Sequence, residues 1–227
     1  MNVDIQIDIL TFCLIEKSTG QVVDTEMVKI KLKKSTYKGW NFNWSLPKIS
    51  GYDLYALKIV DNDDIQGLIA LRVEADNKAV HVDIVETAPH NIGRLGKYEG
   101  VGAHLFAYAC KIARNEGYDY IYFDAKTNLI EYYKDRLGAK QIGDTQRMFV
   151  DGDGFEKLIQ TYYGGEWMSE VRKMNKELFE LDRQTTNGVF TVPCKKNLDM
   201  FGIREYCKEK KIDCSVLTKK EIKRFEK

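Results

Sequence analysis

Three strand-like runs in the middle of the chain constrain its fold more than any other feature of the sequence. They span residues 54–60, 65–73 and 80–87, and short polar segments join each run to the next. Connections this short join antiparallel neighbours, because a parallel crossover needs about a dozen residues or more. The three runs therefore predict an antiparallel meander.

Two further runs with strand character lie nearer the N-terminus. Apolar and polar residues alternate over residues 3–9 and again over residues 27–32, with a turn signal between them. An alternation of this kind is typical of strands that are buried on one face. The pattern predicts a hairpin within residues 5–32.

The apolar period changes from two residues to that of a helix at Gly100. From Gly100 to Asn115 the apolar residues recur at the spacing of a helix with one buried face, and Gly117 suits its C-terminal cap. Later strands are predicted at residues 118–123, 140–142 and 147–150, and later helices at residues 128–137 and 154–163. Together with the meander, this order predicts an α/β fold, a mixed and mainly antiparallel sheet flanked by helices.

Gly164 and Gly165 indicate a boundary in the chain. They predict a domain of residues 1–164 and a helical, locally basic extension of residues 165–227. Within the extension, helices are predicted at residues 166–182, 198–211 and 218–225, and an extended piece at residues 188–192. From residue 190 onward there are eleven Lys or Arg and six Asp or Glu residues. A solvated helical surface explains this charge most simply, and contact with nucleic acid is the less favoured alternative.

The composition argues against several classes of protein. The formal net charge of +1 gives no overall electrostatic preference for nucleic acid or membrane. The five cysteines are odd in number and none are spaced as CxxC, which favours reduced thiols in the cytoplasm over disulfides or a metal site. No uncharged apolar run approaches the roughly 20 residues that span a bilayer, and the first residues do not resemble a secretory leader. We therefore expect a cytoplasmic protein that has neither a metal ion nor a membrane segment.

A glycine-rich turn at the start of the predicted central helix indicates chemistry. Lys97 precedes Gly100 by three residues, and Gly102 follows two residues later. The first N–H groups of a helix have no partners within it, and glycine lets the backbone approach an anion without an intervening Cβ. The spacing matches neither of the common nucleotide-binding motifs. The turn predicts a phosphate site or, alternatively, a helix start packed closely on a sheet.

The context of this turn resembles the GCN5-related N-acetyltransferase (GNAT) superfamily, over roughly residues 54–150. The family pattern Gln/Arg-x-x-Gly-x-Gly/Ala is read here as Lys97-x-x-Gly100-x-Gly102. In that family the turn and the helix start hold the pyrophosphate of acetyl-CoA, so the resemblance implies acetyl-CoA as a cosubstrate. The residues implied in this contact are Lys97, Tyr98, Glu99, Gly100, Val101, Gly102, Ala103 and His104.

A second segment strengthens the resemblance. Residues 128–139, Asn-Leu-Ile-Glu-Tyr-Tyr-Lys-Asp-Arg-Leu-Gly-Ala, are similar to a later helix of the family whose usual form is close to Tyr-Glu-Lys-Leu-Gly-Phe. The tyrosine of that helix commonly protonates the departing CoA thiolate, which implies this role for Tyr133 or, as second choice, Tyr132. A phenol, with an ordinary pKa of about 10, can protonate so basic a leaving group. The resemblance also implies that Asn128 bonds the pantetheine arm.

The strand at residues 82–87 carries the third part of the resemblance. In the family this strand separates from its neighbour, and a freed backbone N–H polarises the acetyl carbonyl, which is oxyanion stabilisation. Val85 and Thr87 are the implied contributors. Glu86 ends the strand near the expected position of the acceptor amine and is a candidate general base, or else a strand-end carboxylate without a catalytic role. His81, earlier on the strand, is expected to face the other side in a structural role.

The sequence departs from the family pattern in several places. A loop at residues 91–96 is inserted before Lys97, and the first motif position is Lys rather than Gln or Arg. The tyrosine-to-glycine spacing in the later helix is one residue longer than usual, which leaves the choice of tyrosine open. The usual helix pair between the first two strands is not evident in residues 34–52, where Trp40 and Trp44 either line an acceptor pocket or cover the core.

The resemblance implies direct transfer of an acetyl group from acetyl-CoA to a primary amine of a small molecule or a protein. One alternative is an inactive module of the same fold that binds CoA, or acts as an interaction or regulatory module through residues 165–227. The other is a protein whose basic tail docks nucleic acid. The identity of the acceptor and the oligomeric state stay open.

Overall fold

The fold is taken from a computed structural model, which describes residues 11–31, 39–42, 44, 51–164, 191–192 and 196–227, with backbone only at residues 11–13. Two sequence predictions, the strand at residues 3–9 and the helix at residues 166–182, lie outside these residues. Most of the segment 34–52 also lies outside them.

The described strands form one mixed sheet. The strands are β1 (Thr11–Glu16), β2 (Val22–Lys29), β3 (Asp53–Ile59), β4 (Ile65–Glu74), β5 (Ala79–Thr87), β6 (Tyr98–Glu99), β7 (Tyr120–Ala125), β8 (Lys140–Gln141), β9 (Arg147–Asp151) and β10 (Thr191–Val192). Their order in the sheet is β6-β1-β2-β3-β4-β5-β7-β9-β8, and β10 pairs with β7 outside this order. Neighbouring strands are antiparallel except for β5 and β7, which are parallel. The predicted meander is β3 to β5, and the α/β prediction is confirmed.

The helices in the described part of the chain are α1 (Val101–Asn115), α2 (Ile130–Leu137), α3 (Gly152–Tyr163), α4 (Met200–Lys210) and the short α5 (Lys219–Ile222). The N–H of Tyr118 bonds the carbonyl of Ala113 at 2.8 Å and closes the end of α1. For this reason β7 begins two residues later than the predicted strand at 118–123. Within the described ranges, no helix combines the length and apolar character needed to cross a bilayer, and no cluster of three or more His, Cys, Asp or Glu could hold a metal ion.

Apolar side chains cover both faces of the sheet at its centre. On one face, Ile121 and Phe123 of β7 pack in a core shared with α1, α2 and α3. On the opposite face, Tyr120 and Tyr122 pack with residues of α4 and α5. The C-terminal helices therefore share a core with the sheet, and the domain boundary at residue 164 stays a prediction.

A bulge in β5 shapes the edge where the sheet opens. The register of β5 with β4 shifts between Val82 and Ile84, so Asp83 is an extra residue in the strand. The pairing of β5 with β7 ends at Val82. Beyond that point the two strands separate, which leaves a wedge between residues 83–87 of β5 and residues 124–125 of β7.

Candidate functional site

The wedge is occupied by β10, a segment distant in sequence. β10 pairs antiparallel with Asp124 and Ala125 of β7. On the other side, the hydroxyl of Thr191 donates to the carbonyl oxygen of Asp83 at 2.9 Å and accepts from the N–H of Val85 at 3.1 Å. The wedge therefore accommodates an extended polypeptide segment. An oxygen atom of that segment accepts a hydrogen bond from a backbone N–H of β5.

Both predicted oxyanion donors lie on β5 beside the wedge. The bulge alters the alternation of side chains, so that Val82 and Val85 both belong to the core on the α1 face. The N–H of Val85 is the donor that reaches an oxygen within the wedge. Thr87 is buried at the end of β5, opposite Gly67 of β4. The structure thus shows a contact within the wedge for Val85, and both residues stay candidate oxyanion donors.

Glu86 is buried and holds the segment around Asn41. Its Oε1 accepts from the N–H of Asn41 at 2.5 Å, and its Oε2 accepts from the N–H of Phe42 at 3.2 Å and the indole N–H of Trp44 at 2.8 Å. Both carboxylate oxygens are therefore engaged, and the side chain is only 1% exposed. Trp44 is likewise 1% exposed and belongs to the core, which decides between its two predicted positions.

We expect Glu86→Gln to lower the free energy of unfolding by about 2 kcal/mol, because a neutral amide offers one acceptor oxygen to three buried donors. Urea denaturation measures this loss. The matched control is Glu131→Gln, whose carboxylate is 80% exposed and should contribute little. Unchanged stability, combined with a large loss of kcat, would instead favour Glu86 as the general base.

The two candidate tyrosines occupy different environments on α2. Tyr133 is fully buried, and its ring packs edge-on against Phe106 of α1 and Phe123 of β7, with centroids 5.7 and 5.3 Å away. Phe123 is the β7 residue at which pairing with β5 ends, so Tyr133 lies close to the narrow end of the wedge. Tyr132 is partly exposed, and Asn128 is exposed in the 3-10 turn Thr127–Leu129. The structure therefore brings Tyr133, rather than Tyr132, towards the wedge.

The glycine-rich turn starts α1 as predicted, but α3 covers it. Gly100 precedes the helix with φ of +94°, a left-handed conformation that glycine adopts without strain. Its carbonyl accepts from the hydroxyl of Tyr162 at 3.3 Å. His104 stacks on Tyr162, and its Nε2 lies 3.1 Å from the hydroxyl of Tyr163. The predicted phosphate contacts Val101, Gly102, Ala103 and His104 are all buried in this conformation.

The other predicted phosphate contacts are Lys97 and the two residues of β6, which is an edge strand of the sheet and directly precedes the glycine-rich turn. Tyr98 and Glu99 pair with β1, and the carbonyl of Lys97 accepts from the N–H of Lys17 at 3.0 Å. The side chain of Lys97 is exposed, with Nζ 5.2 Å from the centroid of the Tyr98 ring. Lys97 is thus accessible to an anion that approaches the turn.

Asn91, which sequence reasoning missed, orders the inserted loop. Its Nδ2 donates to Oε1 of Gln66 at 2.9 Å, and its Oδ1 accepts from the N–H of Tyr98 at 3.1 Å. A Cβ on Gly96 would stand 2.3 Å from the carbonyl oxygen of Asn91, so this position requires glycine. These contacts fix the loop against β4 and define where Lys97 emerges.

A charged cavity borders the wedge on the face opposite α1. Asp124 of β7 forms a buried ion pair with Arg147 of β9, and Arg147 also donates to the carbonyl of Lys196 at 2.8 Å. A cavity of about 670 Å3 adjoins this pair, and Lys219 and Lys223 also line it. The cavity and α1 therefore lie on opposite faces at the end of β7.

No family model matches the sequence, and no curated protein matches it either. The structure is similar to that of nourseothricin acetyltransferase, with a TM-score of 0.33 and 15% identity, covering 65% of this chain and 86% of that chain. It is also similar to a cAMP-binding acyltransferase from Mycobacterium smegmatis, with a TM-score of 0.43 and 13% identity, covering 78% of this chain. The chain spans 55% of the length of that acyltransferase.

Proposed function

We propose that this chain transfers an acyl group, specifically acetyl, from acetyl-CoA to a primary amine. The observation that supports this proposal most is that β10, an extended segment, lies in the wedge. The hydroxyl oxygen of its Thr191 accepts a hydrogen bond from the N–H of Val85. A pantetheine arm is also an extended chain with amide groups, and a thioester carbonyl is also an acceptor. The residues of the wedge therefore fit such a ligand.

Three residues have separate roles in the proposed reaction. The N–H of Val85 stabilises negative charge on the acyl oxygen, and a donor of this kind contributes about 3 kcal/mol. Tyr133, near the narrow end of the wedge, donates its proton to the thiolate that departs. Lys97, exposed beside the glycine-rich turn, offers positive charge to the phosphates. Acetyl-CoA itself supplies the activated acyl group.

The acceptor amine is proposed to approach from the face opposite α1. The cavity beside Asp124 has a volume of about 670 Å3, which lies within the roughly 300–1,000 Å3 of ligand pockets. This volume suits a small amine or the amine end of a peptide. For Glu86 to act as the base, the segment around Asn41 has to release one of its oxygens.

Calorimetric titration with acetyl-CoA tests the cosubstrate. We expect micromolar binding to the wild-type protein and about tenfold weaker binding to Lys97→Ala, since one charge-assisted contact to phosphate is lost. Lys208→Ala, an exposed lysine on α4, is the matched control and should bind as the wild type does. Equal affinities for Lys97→Ala and the wild type would remove Lys97 from the site, and absence of binding would sink the enzyme proposal.

The contacts within the wedge also favour a second candidate function, that of a catalytically inactive module of the same fold. The donor that acyl transfer would use is engaged by Thr191, and the start of α1 is covered by Tyr162 and Tyr163. A module of this kind would bind CoA without turnover, or bind no CoA at all. An assay of thiol release with a panel of small amines and of peptides with free amines separates the two candidates.

A further inference from the structure

β10 has the contacts of a ligand bound in the wedge. It pairs with β7 over two residues, Thr191 with Ala125 and Val192 with Asp124. The hydroxyl of Thr191 bridges to β5 through the carbonyl of Asp83 and the N–H of Val85. Thr191 is fully buried between the two strands. One short segment therefore engages both walls of the wedge.

The contact at Val85 excludes a second acceptor. A backbone N–H makes one well-aligned hydrogen bond, so the Thr191 hydroxyl and a thioester carbonyl cannot both accept from it. We propose that β10 is an internal plug, which occupies the slot for the acyl-pantetheine arm and has to leave before acetyl-CoA binds. This inference rests on the proposed function and adds a regulatory step to the same site.

The described part of the plug is a short strand. β10 pairs with β7 over two residues, whereas β4 and β5 pair over eight. A strand of two residues can therefore leave while the rest of the sheet stays intact.

The phosphate end of the site is closed in the same conformation. The hydroxyl of Tyr162 bonds the carbonyl of Gly100, and His104 stacks on the ring of Tyr162. The first turn of α1 is buried beneath these contacts. Both ends of the proposed acetyl-CoA site are thus covered by the chain itself, at the wedge by β10 and at the helix start by α3. This arrangement is a closed resting state, and both contacts have to open when acetyl-CoA binds.

A closed state lowers the apparent affinity for a ligand, because only the open fraction of molecules can bind it. Thr191→Val keeps the shape of the side chain and removes both hydrogen bonds to β5. We expect acetyl-CoA to bind this variant about tenfold more tightly than the wild type, since the open fraction rises. Thr25→Val is the matched control, because Thr25 is a fully buried strand threonine of β2, far from the wedge.

Calorimetric titration of the wild type, Thr191→Val and Thr25→Val with acetyl-CoA tests the plug. Tighter binding to Thr191→Val alone supports it. Equal or weaker binding to Thr191→Val overturns the plug and leaves the proposed function intact. Absence of binding to all three proteins overturns the proposed function, and the plug with it.

Hydrogen exchange gives an independent readout on the wild-type protein. If acetyl-CoA displaces β10, the amide of Val192 should exchange faster in the presence of acetyl-CoA than in its absence. Slower exchange would mean that β10 stays in place and forms part of the bound state, which overturns the plug.

Discussion

Tyr133→Phe is expected to lower kcat by about 100-fold, with KM for acetyl-CoA unchanged within about twofold. In the proposed reaction the phenol donates its proton only as the thiolate departs, so its loss should affect the transition state and leave binding of the ground state intact. The variant keeps the aromatic ring, which packs between Phe106 and Phe123. Steady-state kinetics of thiol release with the best acceptor amine measure the effect.

The leaving group offers a sharper test of the role of Tyr133. An acetyl thioester of an acidic aryl thiol needs no proton when its thiolate departs, so the loss in Tyr133→Phe should shrink with that substrate. A merely structural defect would lower the rate for both thioesters equally. Tyr132→Phe is the control, and we expect it to keep wild-type rates because Tyr132 is partly exposed on α2. A loss confined to Tyr132→Phe would transfer the role to Tyr132.

The elements that the sequence predicted correctly are those with a local signal. The strand-like runs and short turns of residues 54–87 predicted β3, β4 and β5, and the period that begins at Gly100 predicted α1. Gly100 and Gly138 mark helix ends because both adopt positive φ, which the neighbouring sequence already indicates. Such features depend on a few adjacent residues.

The contacts that define the site join residues far apart in the chain, and no local pattern encodes them. Glu86 meets Trp44 across 42 positions, and Val85 meets Thr191 across 106. The donors that engage Glu86 come from a segment without a clear period. Likewise, nothing near Thr191 in the sequence indicates that its hydroxyl ends beside Val85. Tertiary packing alone decides these partners.

His81 should make the protein less stable in mild acid. The side chain is 2% exposed, and burial lowers its pKa to about 4 from an ordinary value of 6.5. Its Nδ1 lies 3.0 Å from the hydroxyl of Tyr52, and its ring stacks on Tyr122 at 4.5 Å. Nε2 has no hydrogen-bond partner among the described residues, so a proton there would be buried without an acceptor. The structural role predicted for His81 matches this environment.

The sign of the pH effect follows from the lowered pKa of His81. As the pH falls below 6.5 the unfolded chain binds a proton at His81, whereas the folded protein does not until about pH 4. The unfolded state is therefore favoured progressively across that window, by about 2 kcal/mol between pH 7 and pH 5. The neighbouring carboxylate of Glu74 also has a lowered pKa, from 4.5, so its stabilisation is lost mainly below this window.

Urea denaturation of the wild type and His81→Gln at pH 7 and pH 5 separates the histidine from the carboxylates. Glutamine does not titrate, so His81→Gln should lose most of the difference between the two pH values, whatever its absolute stability. His90→Gln is the matched control at an exposed position and should keep most of the wild-type difference. An unchanged difference in His81→Gln would show that other groups cause the acid sensitivity. Because His81 lies before the bulge and outside the wedge, we expect His81→Gln and the wild type to bind acetyl-CoA with equal affinity at pH 7. Equal affinities would separate the effect of His81 on the stability of the sheet from the chemistry of the site.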